Sequence, residues 1–207
     1  MTALVWDKTL ERQYEIGVDR GVIYASNSRV AVWNGLISVI ESEVDDTQIT
    51  HYYDGIKYVN LRFGGFYRAQ VNAYSIPYLV GSVFGEKEHS PGFVLADQMR
   101  EQFNFCYRTM VGESAYKLHL VYNAIATPKA KTFGSVNDSP EATVLEYQID
   151  AIPPIPTTNH KPSAHLIVDS KKTSPAVLVG LENILYGTVS LAPRFPTQSE
   201  LITTIYV

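Results

Sequence analysis

No stretch constrains the fold of this chain more than "FNFCYRTMVGESAYKLHLVYNA", Phe103 to Ala124. Large and polar side chains alternate from Phe103, the pattern breaks at Val-Gly-Glu-Ser, and it resumes at Ala115. Period-two alternation sends successive side chains to opposite faces of a pleated strand. The stretch therefore predicts two long antiparallel strands joined by a tight connection.

The same reading extends along the chain. Tyr14 to Tyr24 is a strand interrupted at "GVDRG", where Gly17 and Gly21 flank Asp19-Arg20 and suggest a turn or a bulge. In "RVAVWNGLISVIESE", Asn34-Gly35 signals a hairpin turn, and Asp54-Gly55 signals another between Thr50–Tyr53 and Ile56–Arg62. "FYRAQVNAYSIPYLVG" places Tyr67, Ala69, Val71 and Ala73 opposite Arg68, Gln70, Asn72 and Tyr74, with Pro77 ending the strand or confining it to an edge. Gly81 to Asp97 is weakly patterned and predicts a loop with extended pieces. "TVLEYQIDAI" puts Val144, Glu146, Gln148 and Asp150 on one face and Leu145, Tyr147 and Ile149 on the other. The run Pro153-Pro154-Ile155-Pro156 then stops pairing and stiffens the link, "SAHLIVDS" gives a last short sheet strand, and the tail closes on an alternating "LITTIYV".

One helix is expected. Ser174 can cap its start, Pro175 suits the first helical position and Gly187 suits the stop. Val177, Leu178, Leu181, Ile184 and Leu185 recur at i, i+1, i+4, i+7 and i+8, which is one apolar face. Many strands, one packed helix and frequent turns predict a mostly β chain, an antiparallel β-sandwich or barrel with one flanking α-helix.

Residues with chemical potential are scattered. Net charge is −4, from 17 basic and 21 acidic residues, which argues against a basic footprint for nucleic acid. The single cysteine, Cys106, excludes an intramolecular disulfide and a cysteine-based metal site, and its place in an aromatic strand predicts a small buried hydrophobe. His160 and His165 are near in sequence, but no carboxylate or cysteine accompanies them at a ligand spacing, so they read as a loop histidine followed by a strand histidine. No G-x-S-x-G is present, and Gly64-Gly65 lacks the Lys-Ser/Thr of a phosphate loop. Glu41, Glu43, Asp45 and Asp46 in "ESEVDD" suggest a glycosidase pair or a calcium loop. The glycine and final glutamate of an EF-hand are missing, however, and a solvated loop is the plainer reading. No enzymatic activity, cofactor or metal is expected. "MTALVWDKTL" meets Asp7 and Lys8 too early for a secretory leader, and the apolar runs fall short of a membrane span. With 14 Tyr, 8 Phe and 2 Trp but only 18% charged residues, the chain has surface suited to partners.

Several stretches together resemble a known family. In this order the chain contains "WDKTLERQYEIGVDRGVIY", "AVWNGLISVIES", "YYDGIKYVN", "VNAYSIPYL", "FNFCYRTMVGESAYKLHLVYNAIATP", "VNDSPEATVLEYQIDAIP" and "NHKPSAHLIVDS". The set is similar to the major tail protein, or tail tube protein, of long-tailed bacteriophages with non-contractile tails. The resemblance runs from about Trp6 to Gly187, and "GEKEHSPGFVLADQMREQ", within Phe84–Gln102, departs from the family pattern.

The resemblance implies one tail tube domain over residues 1–207, with extended arms and loops. Two packed β-sheets would carry a flanking helix over Ser174–Tyr186. Subunits of this family close into hexameric rings that stack into a tube conducting the genome. Implied partners are other copies of the chain, a tape measure protein, a tail terminator and tip proteins, with DNA passing without specific binding and no membrane involved. The implied location is the virion tail, after synthesis in the host cytoplasm. In such a ring the Phe103–Ala124 strands would pack one face on the sheet behind and turn the other to the lumen or a neighbour. Glu41, Glu43, Asp45, Asp46, Glu146 and Asp150 would be candidates for an acidic lumen lining. A tail terminator or minor tip ring of the same fold is the alternative, with a carbohydrate-binding β-sandwich behind it.

Overall fold

The computed structural model describes residues 14–25, 29–42, 47–54, 56–63, 66–135, 141–155 and 162–205. The stretch from Phe103 to Ala124 forms β9 (Phe103–Val111) and the first part of β10 (Ala115–Pro128), as its alternation predicts. Their tight connection carries Gly112 at φ 62°, a left-handed conformation that glycine adopts without steric cost. The other strands are β1 (Glu15–Ala25), β2 (Val30–Val32), β3 (Leu36–Ser42), β4 (Thr47–Tyr53), β5 (Ile56–Phe63), β6 (Tyr67–Ala73), β7 (Lys87–Ser90), β8 (Phe93–Leu95), β11 (Leu145–Ala151) and β12 (His165–Asp169). A main antiparallel path runs β2-β1-β9-β10-β11-β6-β3, with β12 also on β10.

The bend in β10 turns this path into two layers. Its register against β9 jumps between Val121 and Ala124, and Asn123 sits at φ 48°. Asparagine tolerates that conformation, and the Asn104 Oδ1 accepts the Asn123 N–H at 3.0 Å, satisfying a donor the bulge removes from the ladder. Before the bend β10 pairs with β9 and β12; after it, β10 pairs with β11. The β2-β1-β9-β10-β12 sheet therefore faces a second sheet made of the end of β10, β11, β6 and β3.

Between the sheets lies an aromatic core. Ile23, Trp33, Val71, Phe103, Phe105, Tyr107, Val121, Tyr147 and Ile149 are buried there. Trp33 meets Phe84 and Phe105 edge-on at 5.4 Å and donates its indole N–H to the Ser75 carbonyl at 2.8 Å. Gly21 packs closely beside it: a Cβ there would come within 2.9 Å of Leu36 Cδ2 and 3.3 Å of Trp33 Cβ, so the Leu36 side chain would have to move.

A second core lies on the far side of the β9 sheet. Val22, Cys106, Leu118 and Leu120 pack under α1 (Pro175–Tyr186), against Leu181 and Leu185. The helix starts after Ser174 and stops at Gly187 as expected, although the Ser174 side chain makes no capping hydrogen bond; Leu181 and Leu185 are buried, while Val177, Leu178 and Ile184 flank them half-buried. Full burial of each leucine is worth about 1.5–3 kcal/mol. Tyr24 fastens β1 to the helix by donating its hydroxyl to the Leu185 carbonyl at 2.8 Å.

Three expectations need correction. The Phe103–Ala124 strands do not turn a face to a lumen or a neighbour: one face fills the inter-sheet core and the other lies under α1. Asn34-Gly35 does not close a hairpin, since β2 pairs with β1 and β3 with β6, so this turn carries the chain from one sheet to the other. The alternating "LITTIYV" begins as helical turns at Leu201–Ile205, with Leu201 buried in the second core. Burial of Leu201 there outweighs the local strand pattern. The interruption in β1 does become a pair of bulges, with register shifts on either side of Asp19 and Arg20 at φ 49°. Between β4 and β5, Tyr53 pairs with Ile56 and Asp54 sits at φ 48°, while Gly55 of the expected turn lies outside the described residues.

Candidate functional site

The outward face of the β3-β6-β11 sheet is polar on β6 and β11 by sequence alternation, and β3 adds Ile40, opposite Gln70 and 51% exposed, as an apolar break. Opposed pairs place Asn72 beside Ser38 and Glu146, Gln70 beside Gln148, and Arg68 beside Asp150. Side-chain hydrogen bonds run both across and along the strands. Asn72 donates to Ser38 Oγ at 3.1 Å, Gln70 donates to Glu146 at 3.1 Å, and Gln148 donates to Asp150 at 2.9 Å. One acid here also meets a cation, Arg68 Nε lying 2.6 Å from Asp150, while Lys129 reaches the neutral Gln70 amide oxygen.

Of the six acidic candidates, Glu146 and Asp150 share this face. Glu41 does not, because it stands opposite Ala69 and so points to the inner side of the same sheet. Glu43, Asp45 and Asp46 lie outside the described residues.

Two ribbons leave the body. β4 and β5 pair with each other, as do β7 and β8, and among the described residues neither ribbon joins the main sheet. The predicted loop over Gly81–Asp97 is thus a 3-10 helix, Tyr78–Phe84, followed by the β7–β8 ribbon. The helix buries Val80, Val83 and Phe84 in the inter-sheet core, which anchors the root of the ribbon. Arg29 adds a tie, donating to Ser82 Oγ at 3.0 Å and pairing with Glu101. Beyond that root the ribbon is open: Phe93 is 55% exposed and Met99 is 89% exposed.

At one end of the aromatic core, residues from both sheets converge on a polar cluster that sequence spacing does not reveal. Tyr107 of β9 stands opposite His119 of β10, and His165 of β12 stands opposite Val121 on the same face. Tyr107 and His119 stack with centroids 4.5 Å apart, and the His119 and His165 rings lie 5.2 Å apart. Glu41 reaches in from β3, accepting the Tyr107 hydroxyl proton. Its Oε1 is 3.4 Å from His119 Nδ1 and 3.9 Å from His165 Nε2, and the two ring nitrogens are 3.0 Å apart.

The electrostatics follow the geometry. The His119 contact, reinforced by the Tyr107 hydrogen bond, lowers the Glu41 carboxyl to about 2 against the opposing effect of burial. Burial lowers the His165 imidazole to about 4. At neutral pH the cluster therefore holds a carboxylate beside a neutral imidazole. Cys106, on the opposite face of β9, is fully buried and its thiol is pushed up to about 12 by burial, in keeping with a small hydrophobe.

His165 is the expected strand histidine, at the start of β12, and the expected loop histidine, His160, lies outside the described residues. The partner that the fold supplies is His119. Its signal was a histidine on the inward parity of a core strand, but only the β10–β12 register brings the two rings together.

No protein-family model and no curated protein matches the chain. Among solved structures, the chain is similar to the tube-terminating cap of the anti-feeding prophage, with 12% identity and a TM-score of 0.44 over 82% of this chain and 100% of that one. It is also similar to a chain of the sheath-tube complex, in its extended state, of PVC, an extracellular contractile injection system. There the identity is 13% and the TM-score 0.37, over 72% of this chain and 88% of that one. Likeness this slight decides neither fold nor function.

Proposed function

We propose that the chain is a structural, non-enzymatic subunit of a phage tail, which closes into hexameric rings that stack into the hollow tail tube. The observation that carries this reading is the pair of ribbons, β4–β5 and β7–β8, that join no other strand of the described chain. A lone two-stranded hairpin is marginally stable in water, and exposed strand edges invite pairing with another chain. A second copy of the subunit supplies the missing contacts, within a ring or between rings. The sequence resemblance to tail tube proteins gives the same assignment and adds the tape measure, terminator and tip proteins as partners.

In this reading the polar face of β3, β6 and β11 lines the lumen. Retention of DNA needs cations free to displace counterions from phosphate. On this face Arg68 is matched by Asp150, and Lys129 sits on the Gln70 amide oxygen beside Glu146, so two cations stand among two acids. A surface of that kind lets a polyanion pass.

The test is negative-stain electron microscopy of the purified, concentrated full chain, with sedimentation alongside. Hollow tubes of uniform width built from stacked rings are the expected result. Rings that never stack would replace the tube subunit with a terminator or tip ring, and monomer at every concentration and salt would overturn self-assembly of the isolated chain.

A further inference from the structure

We infer that Glu41, His119 and His165 form a binding site for a divalent transition metal, zinc above all, which clips β3 of one sheet to β10 and β12 of the other. The inference is independent of the tail tube reading. Three donor atoms separated by 3.0, 3.4 and 3.9 Å share a common point roughly 2 Å from each, the length of a zinc–imidazole or zinc–carboxylate bond. Two imidazoles and one carboxylate suit zinc and its neighbours, whereas calcium and magnesium take oxygen ligands.

The surroundings orient the donors. Thr109 Oγ1 donates to Glu15 at 3.3 Å and lies 3.0 Å from His119 Nε2, placed to accept a proton from that nitrogen. Metal binding draws on that tautomer, in which the proton His119 otherwise gives to Glu41 from Nδ1 moves to Nε2 and the Nδ1 lone pair faces the ion. On the other side the Tyr67 and Tyr107 hydroxyls lie 2.9 Å apart, and Tyr107 donates to Glu41. Such outer partners, which fix tautomer and orientation, are what a protein metal site requires. Access is from the carboxylate side: the Glu41 side chain is 41% exposed, against 6% for His119 and 13% for His165. That side leaves a fourth position for water. Glu41 is also the next-to-last residue of β3, so a bound ion fixes the place where the chain departs toward the β4–β5 ribbon.

The experiment uses the full chain stripped with chelator and dialysed against zinc, with metal content measured per chain. Cobalt serves as the visible probe of ligand geometry, and thermal unfolding is recorded with and without zinc. Wild type is expected to take up one equivalent, to give the visible absorption of four-coordinate cobalt, and to unfold at higher temperature with zinc, since a ligand for the native state stabilises it. Glu41→Gln and His165→Gln should lose stoichiometric binding. Thr109→Val keeps all three ligands and should weaken binding by about tenfold. Circular dichroism establishes that each variant folds; if His165→Gln does not, Glu41→Gln at its partly exposed position decides. No stoichiometric uptake by wild type, or uptake indifferent to Glu41→Gln, would overturn the site and leave a purely hydrogen-bonded cluster.

Discussion

The two sheets of this chain share one alternating pattern and use it differently. β9 and the first part of β10 are covered on both faces, by the aromatic core on one side and by α1 on the other. β6 and β11 are covered on one face only, and their outward positions carry Arg68, Gln70, Asn72, Glu146, Gln148 and Asp150. Alternation alone states that two faces exist; the residues at the second parity state what each one meets. In β9 and β10 that parity carries Cys106, Leu118, Leu120 and Tyr122, and all four are buried. A sheet with such a second face must sit in the middle of a layered structure.

The comparison breaks most visibly at Phe105. It is 1% exposed, stacks on Tyr107 at 5.2 Å and meets Trp33 edge-on. Phe105→Ala should cost about 3–5 kcal/mol, from lost burial plus the cavity left between the sheets. Urea unfolding followed by tryptophan fluorescence reads this directly, because Trp33 lines the same cavity. A cost under about 1 kcal/mol would mean that the sheets do not close on this ring.

The neighbouring position tests the other face of the same strand. Cys106→Ser keeps the size of the side chain but buries a hydroxyl among Leu118, Leu120 and Leu181 with the Tyr186 hydroxyl as its partner, and should cost about 1 kcal/mol. The native thiol should also resist alkylation at neutral pH and react once the chain is unfolded. Were β9 turned to a lumen or a neighbour, as its alternation alone allows, the serine would be harmless and the thiol would react in the folded monomer.

Much of this was legible in the residues. The β6 and β11 faces, the limits of α1 and the bulged β1 follow from local pattern: a polar residue at every second position, a Ser-Pro start with a glycine stop, and glycines around Asp19-Arg20. What escaped depended on pairing between distant segments. "LHLVY" in β10 is nearly unbroken in its apolar character, the mark of a strand buried on both faces, but the clean alternation beside it points to a face for the lumen or a neighbour. The apolar stripe of α1 was recognised without the surface it covers. Glu41, His119 and His165 come from three strands, and no local spacing joins them. Asn34-Gly35 has the composition of a hairpin turn, but Trp33 enters the inter-sheet core and Leu36 pairs onto β6, so the turn joins layers.

The smallest effect is expected on the outward face of β11. Gln148 stands opposite Gln70 and donates to Asp150 at 2.9 Å in a partly exposed position. Water can replace that hydrogen bond, and no apolar neighbour is uncovered when the amide is removed. Gln148→Ala should therefore change the stability of the isolated chain by no more than about 0.5 kcal/mol. The contrast with Ile149, the next residue and fully buried, sharpens the point: Ile149→Ala in the same strand should cost about 2–5 kcal/mol. If the glutamine proved as costly as the isoleucine, β11 would be covered on both sides like β9, and the sheet assigned to line the lumen would instead be internal. A near-zero cost for Gln148 beside a large one for Ile149 leaves the outward face of this sheet free, as a lumen lining requires.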